Sequence, residues 1–270
     1  MESISLDRQT LTVSHDGPIA TIRFTQPKTL NAITLPFAIA LTPALQSLSD
    51  NPTVRVVVLS GEGKAFMAGG DLLYLRNAEA DQAARDAALL ISQLNKSIEV
   101  ITAMPIPIVA SAHGAVAGAG LSLLLACDFA IAASDTRFVF AYTAIAASPD
   151  AGLSWTLPRV IGMRKAMQFA FLDQQIDAST ALSFGIVNEL APPHELSAAT
   201  SAMATKLARL PIHAFAQTKQ LMLGSSNRSL GQQLRAECDA FTACARTSDF
   251  REGVDAFFAR RQPRFTGDNS

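Results

Sequence analysis

The sequence predicts an α/β protein, with a layered core of strands and helices followed by a helical region. In the first part of the chain, short apolar runs alternate with longer segments of helical periodicity. The strand-like runs are apolar throughout, which is typical of sheets that are covered on both faces. After about residue 163 the strand signal fades, and helical patterns follow one another almost to the end of the chain.

The first part of the chain begins with a hairpin. Residues 11–24 form two short alternating runs around Asp16 and Gly17, a pattern that favours a tight β-turn. Beyond the hairpin we expect helices over residues 33–48, 80–104 and 121–127, and buried strands over residues 53–61, 105–114 and 128–134. Pro105 ends the longest of these helices.

The second part of the chain is predicted to be helical throughout. The helical patterns cover residues 163–187, 195–210, 212–223, 228–245 and 251–261. The last sixty or so residues are therefore free to form a separate layer or a contact between subunits.

Composition excludes several classes of function. The chain has 270 residues, 49% of them apolar, which is ample material for a core, and a formal net charge of −1. No overall field attracts nucleic acid or an anionic membrane, although local basic residues remain able to bind a phosphate-bearing small molecule. The three cysteines form no CxxC pair and the four histidines lack ligand spacing, so we expect reduced thiols and no metal site.

The polar N-terminus lacks the pattern of a signal peptide, and the longest apolar stretch, residues 121–133, is interrupted by Asp128 and too short for a bilayer. We therefore expect a cytoplasmic protein with neither a nucleic-acid nor a membrane partner.

Two glycine-rich stretches each follow a predicted strand: GKAFMAGGDL at residues 63–72 and HGAVAGAGLSLLLACD at residues 113–128. Small residues let a ligand approach backbone N–H groups, and the first N–H groups of a helix have no intrahelical acceptor. Two such turns directed at one carbonyl oxygen would make an oxyanion hole. Each stretch on its own is equally consistent with a tight loop. His113, beside the second turn, is expected to be structural.

Asp150 is the only ionisable carboxylate between residues 138 and 157. Burying an ionised carboxylate is costly, and burial raises its pKa toward the range of a useful base. The alternative from local sequence is that Asp150 caps the helix that follows it.

Four motifs together resemble the crotonase superfamily, the enoyl-CoA hydratase/isomerase fold, over roughly residues 10 to 265. They are KAFMAGGDL (64–72), GAVAGAGLSLLLACDFAIAA (114–133), SPDAGLSWTLPRVIG (148–162) and REGVDAFFARRQPRF (251–265). The resemblance implies a crotonase-like spiral of ββα units over residues 1–205, which would bind and transform an acyl-CoA. Residues 206–270 would be a helical region that builds homotrimers, often paired as hexamers, and contributes to the coenzyme A site. No cofactor is implied beyond the coenzyme A of the substrate.

The resemblance also implies roles for individual residues. The oxyanion-hole N–H groups fall on Gly70 and Ala119, and the catalytic carboxylate on Asp150. Tyr142 and Trp155 are expected in the acyl pocket. The alternatives are that the Tyr142 hydroxyl satisfies a buried backbone group and that Trp155 serves only in packing. The expected coenzyme A contacts are Lys64, Phe66, Ala68, Asp71, Phe257 and Arg260. Asp71 is alternatively a local backbone cap.

Departures from the family pattern restrict the reactions that we expect this chain to catalyse. Hydratases of the family use two glutamates to activate water, and the matching positions here are Ser122 and Tyr142, so an ordinary hydratase is not expected. Asp150 matches the aspartate of the ring-epoxide isomerase of phenylacetyl-CoA degradation and of related enoyl-CoA isomerases. We therefore expect a proton shuttle on an enolate, shielded from water by Ile145, Leu153 and Trp155. The alternatives are Asp150 as nucleophile, as in aromatic acyl-CoA dehalogenases and some thioester hydrolases, and a non-catalytic acyl-CoA-binding protein.

Overall fold

The computed structural model describes residues 10–76 and 79–267. Its strands, in chain order, are β1 (Leu11–Asp16), β2 (Ile19–Phe24), β3 (Val56–Gly61), β4 (Ile108–Ala112), β5 (Ala115–Ala117), β6 (Phe129–Ala133), β7 (Arg137–Val139), β8 (Gln175–Asp177) and β9 (Glu189–Ala191). The helices are α1 (Leu35–Ser49), α2 (Leu72–Arg76), α3 (Ala80–Ala103), α4 (Ala119–Ala126), α5 (Leu153–Ile161), α6 (Met163–Phe171), α7 (Ala178–Phe184), α8 (Leu196–Leu207), α9 (Ile212–Gly224), α10 (Leu230–Ala245) and α11 (Ser248–Phe258).

The strands form two sheets. The larger sheet has the order β1-β2-β3-β4-β6-β9, parallel throughout except for the predicted β1–β2 hairpin. The smaller sheet has the order β5-β7-β8. Successive units contribute a strand to the larger sheet, a short strand to the smaller one and then a helix, as in β4-β5-α4 and β6-β7-α5. This repetition is the predicted spiral of ββα units.

The larger sheet is buried on both faces, as its continuous apolar strands predict. On one face, a core cluster that includes Ile22, Val57 and Leu59 packs with residues of α1, α3 and α4. On the other face, a second cluster joins Val56 and Val58 to α8. The sheet is therefore the middle layer of the molecule, and it fixes where the loops after β3 and β4 emerge.

Two cations tie the C-terminal helices to this core. Lys219 of α9 is buried, and its Nζ lies 3.0 Å from the Asp128 carboxylate and donates to the Ile101 carbonyl at 2.8 Å. Arg55 donates to the carbonyls of Ala208 and Leu210, both at 2.7 Å. The predicted boundary at residues 205 and 206 falls inside α8, and the division into two regions stays a prediction. No helix in the described ranges is both long enough and apolar enough to cross a membrane.

The prediction that residues after 163 are only helical is wrong. The expected helix over residues 163–187 is two helices, α6 and α7, separated by β8, and β9 follows α7. Both strands have three residues, too few for an alternating pattern to be recognised, and β8 is only partly buried. Three-residue β5 and β7 were missed for the same reason.

Candidate active site

The first glycine-rich turn follows β3 and runs between two other segments of backbone. On one side, Met67 pairs with β5: its N–H donates to the Ala115 carbonyl at 3.2 Å, and its own carbonyl accepts from Ala117 N–H at 3.0 Å. On the other side, Ala68 N–H donates to the Leu30 carbonyl at 3.0 Å. The position of the turn is thus set by backbone bonds on both sides.

Asn31 supports this turn and was not predicted. Its buried side chain donates to the carbonyls of Glu62 at 2.9 Å and Ala65 at 2.8 Å, and it accepts from Gln26 N–H at 3.0 Å. Its φ is 56°, in the left-handed region that asparagine tolerates better than most residues. An asparagine in a polar loop gave no sequence signal for this role, because the two carbonyls to which it donates lie more than thirty residues away.

The Gly70 amide faces away from its neighbouring segment. Gly70 forms a parallel bridge with Ile33, in which the bonding groups are the Gly69 carbonyl, at 2.7 Å from Ile33 N, and Asp71 N–H, at 3.0 Å from Ile33 O. Because those flanking groups point at Ile33, the N–H of Gly70 itself points to the opposite side. No acceptor for it is recorded among the described residues.

The second glycine-rich turn leads from β5 into α4. Gly118 precedes the helix with φ 51° and ψ −123°, a conformation that needs glycine, and no side chain caps the helix start. The first N–H of α4, that of Ala119, has no acceptor among the described residues. It lies at the positive end of the helix dipole.

The two turns touch. A Cβ built on Gly69 would lie 3.2 Å from the Ala117 carbonyl oxygen, and one built on Gly118 would lie 3.7 Å from the Gly69 Cα. His113 adds a further link between the loops, with its Nε2 3.0 Å from the Gly63 carbonyl oxygen, consistent with the expected structural role. The structure therefore brings Gly70 and Ala119, each next to a contacting glycine, to one side of the molecule.

Asp150 is joined to α4 through two hydroxyl groups. Tyr142 Oη donates to Asp150 Oδ1 at 2.6 Å, and Ser122 Oγ donates to the Asp150 backbone carbonyl at 3.1 Å. The two hydroxyl oxygens are 3.3 Å apart. Ser122 lies on α4 three residues after Ala119, so the main chain of Asp150 is tied to the helix whose first amide is free. Sequence reasoning placed these residues individually but not their bonds.

The environment of Asp150 alters two pKa values. Burial raises the pKa of the Asp150 carboxyl above its ordinary value of 3.8, and the hydrogen bond from Tyr142 offsets part of that rise. Burial also raises the pKa of Tyr142, and the neighbouring Asp150 charge raises it further. The pair is therefore a carboxylate beside a phenol that keeps its proton. Asp150 does not cap α5, because the N-cap residue is Gly152 and no side chain caps that helix.

The segment that carries Tyr142 and Asp150 is strained. Ala141, Ala146 and Ala151 have φ values of 64°, 56° and 48°, in the left-handed region where a non-glycine residue costs about 1–2 kcal/mol. Two of them directly flank the hydrogen-bonded pair. Strain of this kind persists where surrounding contacts hold the backbone, and it concentrates at functional sites.

The residues expected to contact coenzyme A differ in their exposure. Lys64 is exposed and Ala68 half-buried, beside the first turn. The Phe66 side chain is fully buried against Phe24, which leaves the backbone of this residue for the expected contact. Asp71 accepts from Leu73 N–H at 3.0 Å, which supports the capping alternative.

The residues expected to exclude water from Asp150 also differ in their exposure. Leu153 is fully buried, whereas Ile145 is 49% exposed and Trp155 39% exposed. The Arg159 guanidinium lies 4.0 Å from the centre of the Trp155 ring. The role of Ile145 and Trp155 in shielding the carboxylate therefore stays a prediction.

Phe257 and Arg260 lie at the exposed end of α11, where Phe257 packs edge-on against Phe258. In the residues that the structure describes, no hydrogen bond, ion pair or ring contact joins either of them to the two turns or to Asp150. The same residues contain no group of three or more histidine, cysteine, aspartate or glutamate side chains arranged to hold a metal ion.

Comparison with known proteins gives one consistent result. A family model described as enoyl-CoA hydratase/isomerase matches residues 14–268. The chain is 36% identical to a probable enoyl-CoA hydratase of Rhodobacter capsulatus and 32% identical to 1,2-epoxyphenylacetyl-CoA isomerase of Escherichia coli. Each alignment covers 92% of this chain and 95% of the relative.

The fold gives the same answer as the sequence. A crystal structure of a putative enoyl-CoA hydratase/isomerase from Mycobacterium abscessus superposes with a TM-score of 0.90 at 32% identity, over 96% of this chain and 100% of that one. The names of these relatives include both hydratase and isomerase, so the choice between the two reactions has to come from the site.

Proposed function

The chain belongs to the enoyl-CoA hydratase/isomerase family, and on that premise we propose that it is an acyl-CoA isomerase with Asp150 as its acid and base. The observation that carries the proposal is the half-buried carboxylate of Asp150, a residue whose main chain is tied through Ser122 to the helix that begins with the Ala119 amide. Its raised pKa brings it closer to the range in which a carboxylate both takes and returns a proton.

The proposed reaction begins with the thioester oxygen between the N–H groups of Gly70 and Ala119. Asp150 removes a proton from a carbon of the acyl chain, and the charge moves to that oxygen as an enolate. Asp150 then returns the proton at another carbon, which shifts a double bond or completes a related rearrangement. An oxyanion-hole donor is typically worth about 3–4 kcal/mol, and a positioned base roughly 10²–10⁴-fold in rate.

Two residues argue against hydration. Ser122 and Tyr142 occupy the positions at which the family's hydratases carry glutamates, and both are hydroxyl groups engaged with Asp150. Because burial holds the Tyr142 proton, neither hydroxyl is a base for water at neutral pH. One carboxylate is enough for an isomerase and too few for the two-glutamate reaction.

The remaining parts of the proposal concern binding and assembly. Lys64 would contact the coenzyme A phosphates, and no cofactor is needed beyond the coenzyme A of the substrate. We expect a cytoplasmic homotrimer or dimer of trimers, in which large exposed apolar side chains of the C-terminal helices become buried. Those side chains are Leu230, Leu234, Phe241, Phe257 and Phe258. Light scattering coupled to size exclusion measures the assembly directly.

The test is a panel of enoyl-, dienoyl- and aryl-acyl-CoA thioesters in deuterated buffer, comparing the wild type with Asp150→Asn. Asparagine keeps the size of the side chain and an acceptor for Tyr142, but it cannot exchange a proton as a base. We expect deuterium in the acyl chain with the wild type and a loss of at least about 10²-fold in the variant, with binding retained. Full exchange by Asp150→Asn would overturn the assignment, and binding without turnover by the wild type would indicate a non-catalytic acyl-CoA-binding protein.

A further inference from the structure

We propose that Ser122 and Tyr142 form a hydroxyl clamp that positions Asp150 and leaves Oδ2 as the oxygen that moves the proton. The inference rests on the proposed isomerase function and adds two positioning residues to it. The clamp is defined by three contacts: Tyr142 Oη to Asp150 Oδ1, Ser122 Oγ to the Asp150 carbonyl oxygen, and the two hydroxyls to each other.

The directions of the bonds follow from what each group is able to donate. An ionised carboxylate and a backbone carbonyl only accept, so the Tyr142 proton lies toward Oδ1 and the Ser122 proton toward the backbone oxygen. A separation of 2.6 Å is typical of a strong hydrogen bond between a hydroxyl and a charged oxygen. Asp150 is thus held both at its side chain and at its main chain.

Oδ1 is therefore committed to Tyr142. In the described chain, no hydrogen bond from a residue other than Asp150 reaches Oδ2, and the one further donor to the carboxyl is the backbone N–H of Asp150 itself. When the carboxyl is protonated, its proton belongs on Oδ2, because a proton on Oδ1 would face the Tyr142 donor. The oxygen that accepts the substrate proton is then the one that returns it, without rotation of the carboxyl group between the two steps.

Ser122 also sets the distance between the two halves of the site. It is fully buried on α4, one turn after Ala119, and residues three apart lie on the same side of a helix. Its bond to the Asp150 carbonyl therefore couples the base to the amide proposed to hold the enolate oxygen. Small errors in such a separation are costly for catalysis.

The clamp has a pH signature. Tyr142 donation favours the ionised carboxyl and lowers the pKa of Asp150, so its removal raises that pKa. Among the described residues, no titratable group besides Tyr142 shifts the pKa of Asp150: α4 carries no charged residue, and Arg159 of α5 lies over the Trp155 ring and donates to the Trp155 carbonyl. The acid limb of the activity profile therefore reports on the Tyr142 bond.

The experiment compares Tyr142→Phe and Ser122→Ala with wild type in the deuterium-exchange assay, across pH, at saturating and limiting thioester. Thr143→Val is the matched control: Thr143 follows Tyr142, but its hydroxyl donates to the Ala170 carbonyl at 2.9 Å and does not touch Asp150. Thermal unfolding and thioester binding are measured for every variant, so that loss of folding is recognised.

For Tyr142→Phe we expect kcat to fall by about tenfold or more, as for loss of a hydrogen bond to a charged group, with KM little changed and the acid limb moved to higher pH. For Ser122→Ala we expect a lower kcat with the acid limb unmoved, because Ser122 contacts the main chain. Thr143→Val should match the wild type. Folded Tyr142→Phe with the wild-type kcat and acid limb would overturn the clamp while leaving the isomerase proposal intact. Exchange that survives Asp150→Asn would instead defeat the isomerase proposal itself.

Discussion

At the scale of single residues, the buried charge of Asp150 lowers the stability of the fold at neutral pH. Burial raises its pKa above 3.8, so the folded protein holds the proton more tightly than the unfolded chain does. The stability that the Asp150 carboxyl contributes is fully present below its ordinary pKa of 3.8, and it is lost as the pH rises through the higher pKa of the folded protein. A carboxylate that weakens the fold at neutral pH is consistent with retention for chemistry rather than for stability.

Asp150→Asn should therefore be more stable than the wild type at neutral pH, because asparagine has no charge to bury. The difference should shrink as pH falls toward 3.8, where the wild-type carboxyl is also neutral. Urea unfolding of both proteins from neutral to mildly acidic pH measures it. A difference that is independent of pH would show that the charge of Asp150 does not weaken the fold.

Asn31 should be among the least replaceable polar residues. Asn31→Ala leaves two carbonyls and one N–H near it without partners and places alanine at φ 56°, so we expect a loss of about 2–4 kcal/mol in unfolding free energy. Asn51→Ala is the control, because the Asn51 side chain makes exposed contacts with Thr53, and its cost should stay below about 1 kcal/mol. Equal losses in the two variants would contradict the supporting role of Asn31.

At the scale of elements, the loop between β7 and α5 stores strain in three left-handed alanines. Alanine is the smallest residue with a Cβ, and a β-branched side chain fits this conformation poorly. The loop thus relies on its contacts to stay in place. The Tyr142 and Ser122 hydrogen bonds are among those contacts.

Ala151 offers a test of that strain, because it is buried with φ 48°. Ala151→Val should lower the unfolding free energy by about 2 kcal/mol or more, whereas Ala151→Gly should change it by less than about 1 kcal/mol. Denaturant unfolding gives both values. If valine were tolerated as well as glycine, the segment would not be strained.

The elements predicted correctly from the sequence were those whose apolar run or helical periodicity extends over many residues. The apolar runs of β3, β4 and β6 and the extended pattern of α3 were each recognised, since periodicity over many residues is informative. The strands of the smaller sheet and β9 have three residues each, and their pairing partners are set by the spiral rather than by local preference. Local sequence could not predict them.

At the scale of the whole molecule, the C-terminal helices depend on a buried ion pair. Lys219→Met would leave Asp128 buried without its cation, and we expect a loss of about 3–5 kcal/mol. Asp128 would keep its bond from Ile108 N–H at 2.9 Å, which places the result toward the lower end. Lys206→Met, at an exposed position of α8, should stay within about 0.5 kcal/mol of the wild type, and equal effects would refute the anchoring role.

The candidate site was partly predictable because some of its residues form recognisable patterns in the sequence. Glycine-rich turns after parallel strands meet at one edge of a sheet, and a lone carboxylate in an apolar stretch stands out in the sequence. The hydroxyls of Ser122 and Tyr142 carried no such signal, because their role depends on contacts with Asp150 across 28 and 8 residues. The exposure of Trp155 and Ile145 was not predictable either, because it depends on how α5 and the turn that contains Ile145 are oriented in the fold.

The most direct test of proton transfer by Asp150 is a single turnover in deuterated, ¹⁸O-labelled water, followed by mass spectrometry of the acyl product and of the peptide that contains Asp150. The account predicts an isomerised acyl product with no ¹⁸O in the Asp150 carboxyl, and deuterium on an acyl carbon in the fraction of turnovers in which the Asp150 proton exchanges with solvent before it is returned. Incorporation of ¹⁸O into that carboxyl would mean that Asp150 attacks the substrate as a nucleophile, and proton transfer would then be the wrong reaction.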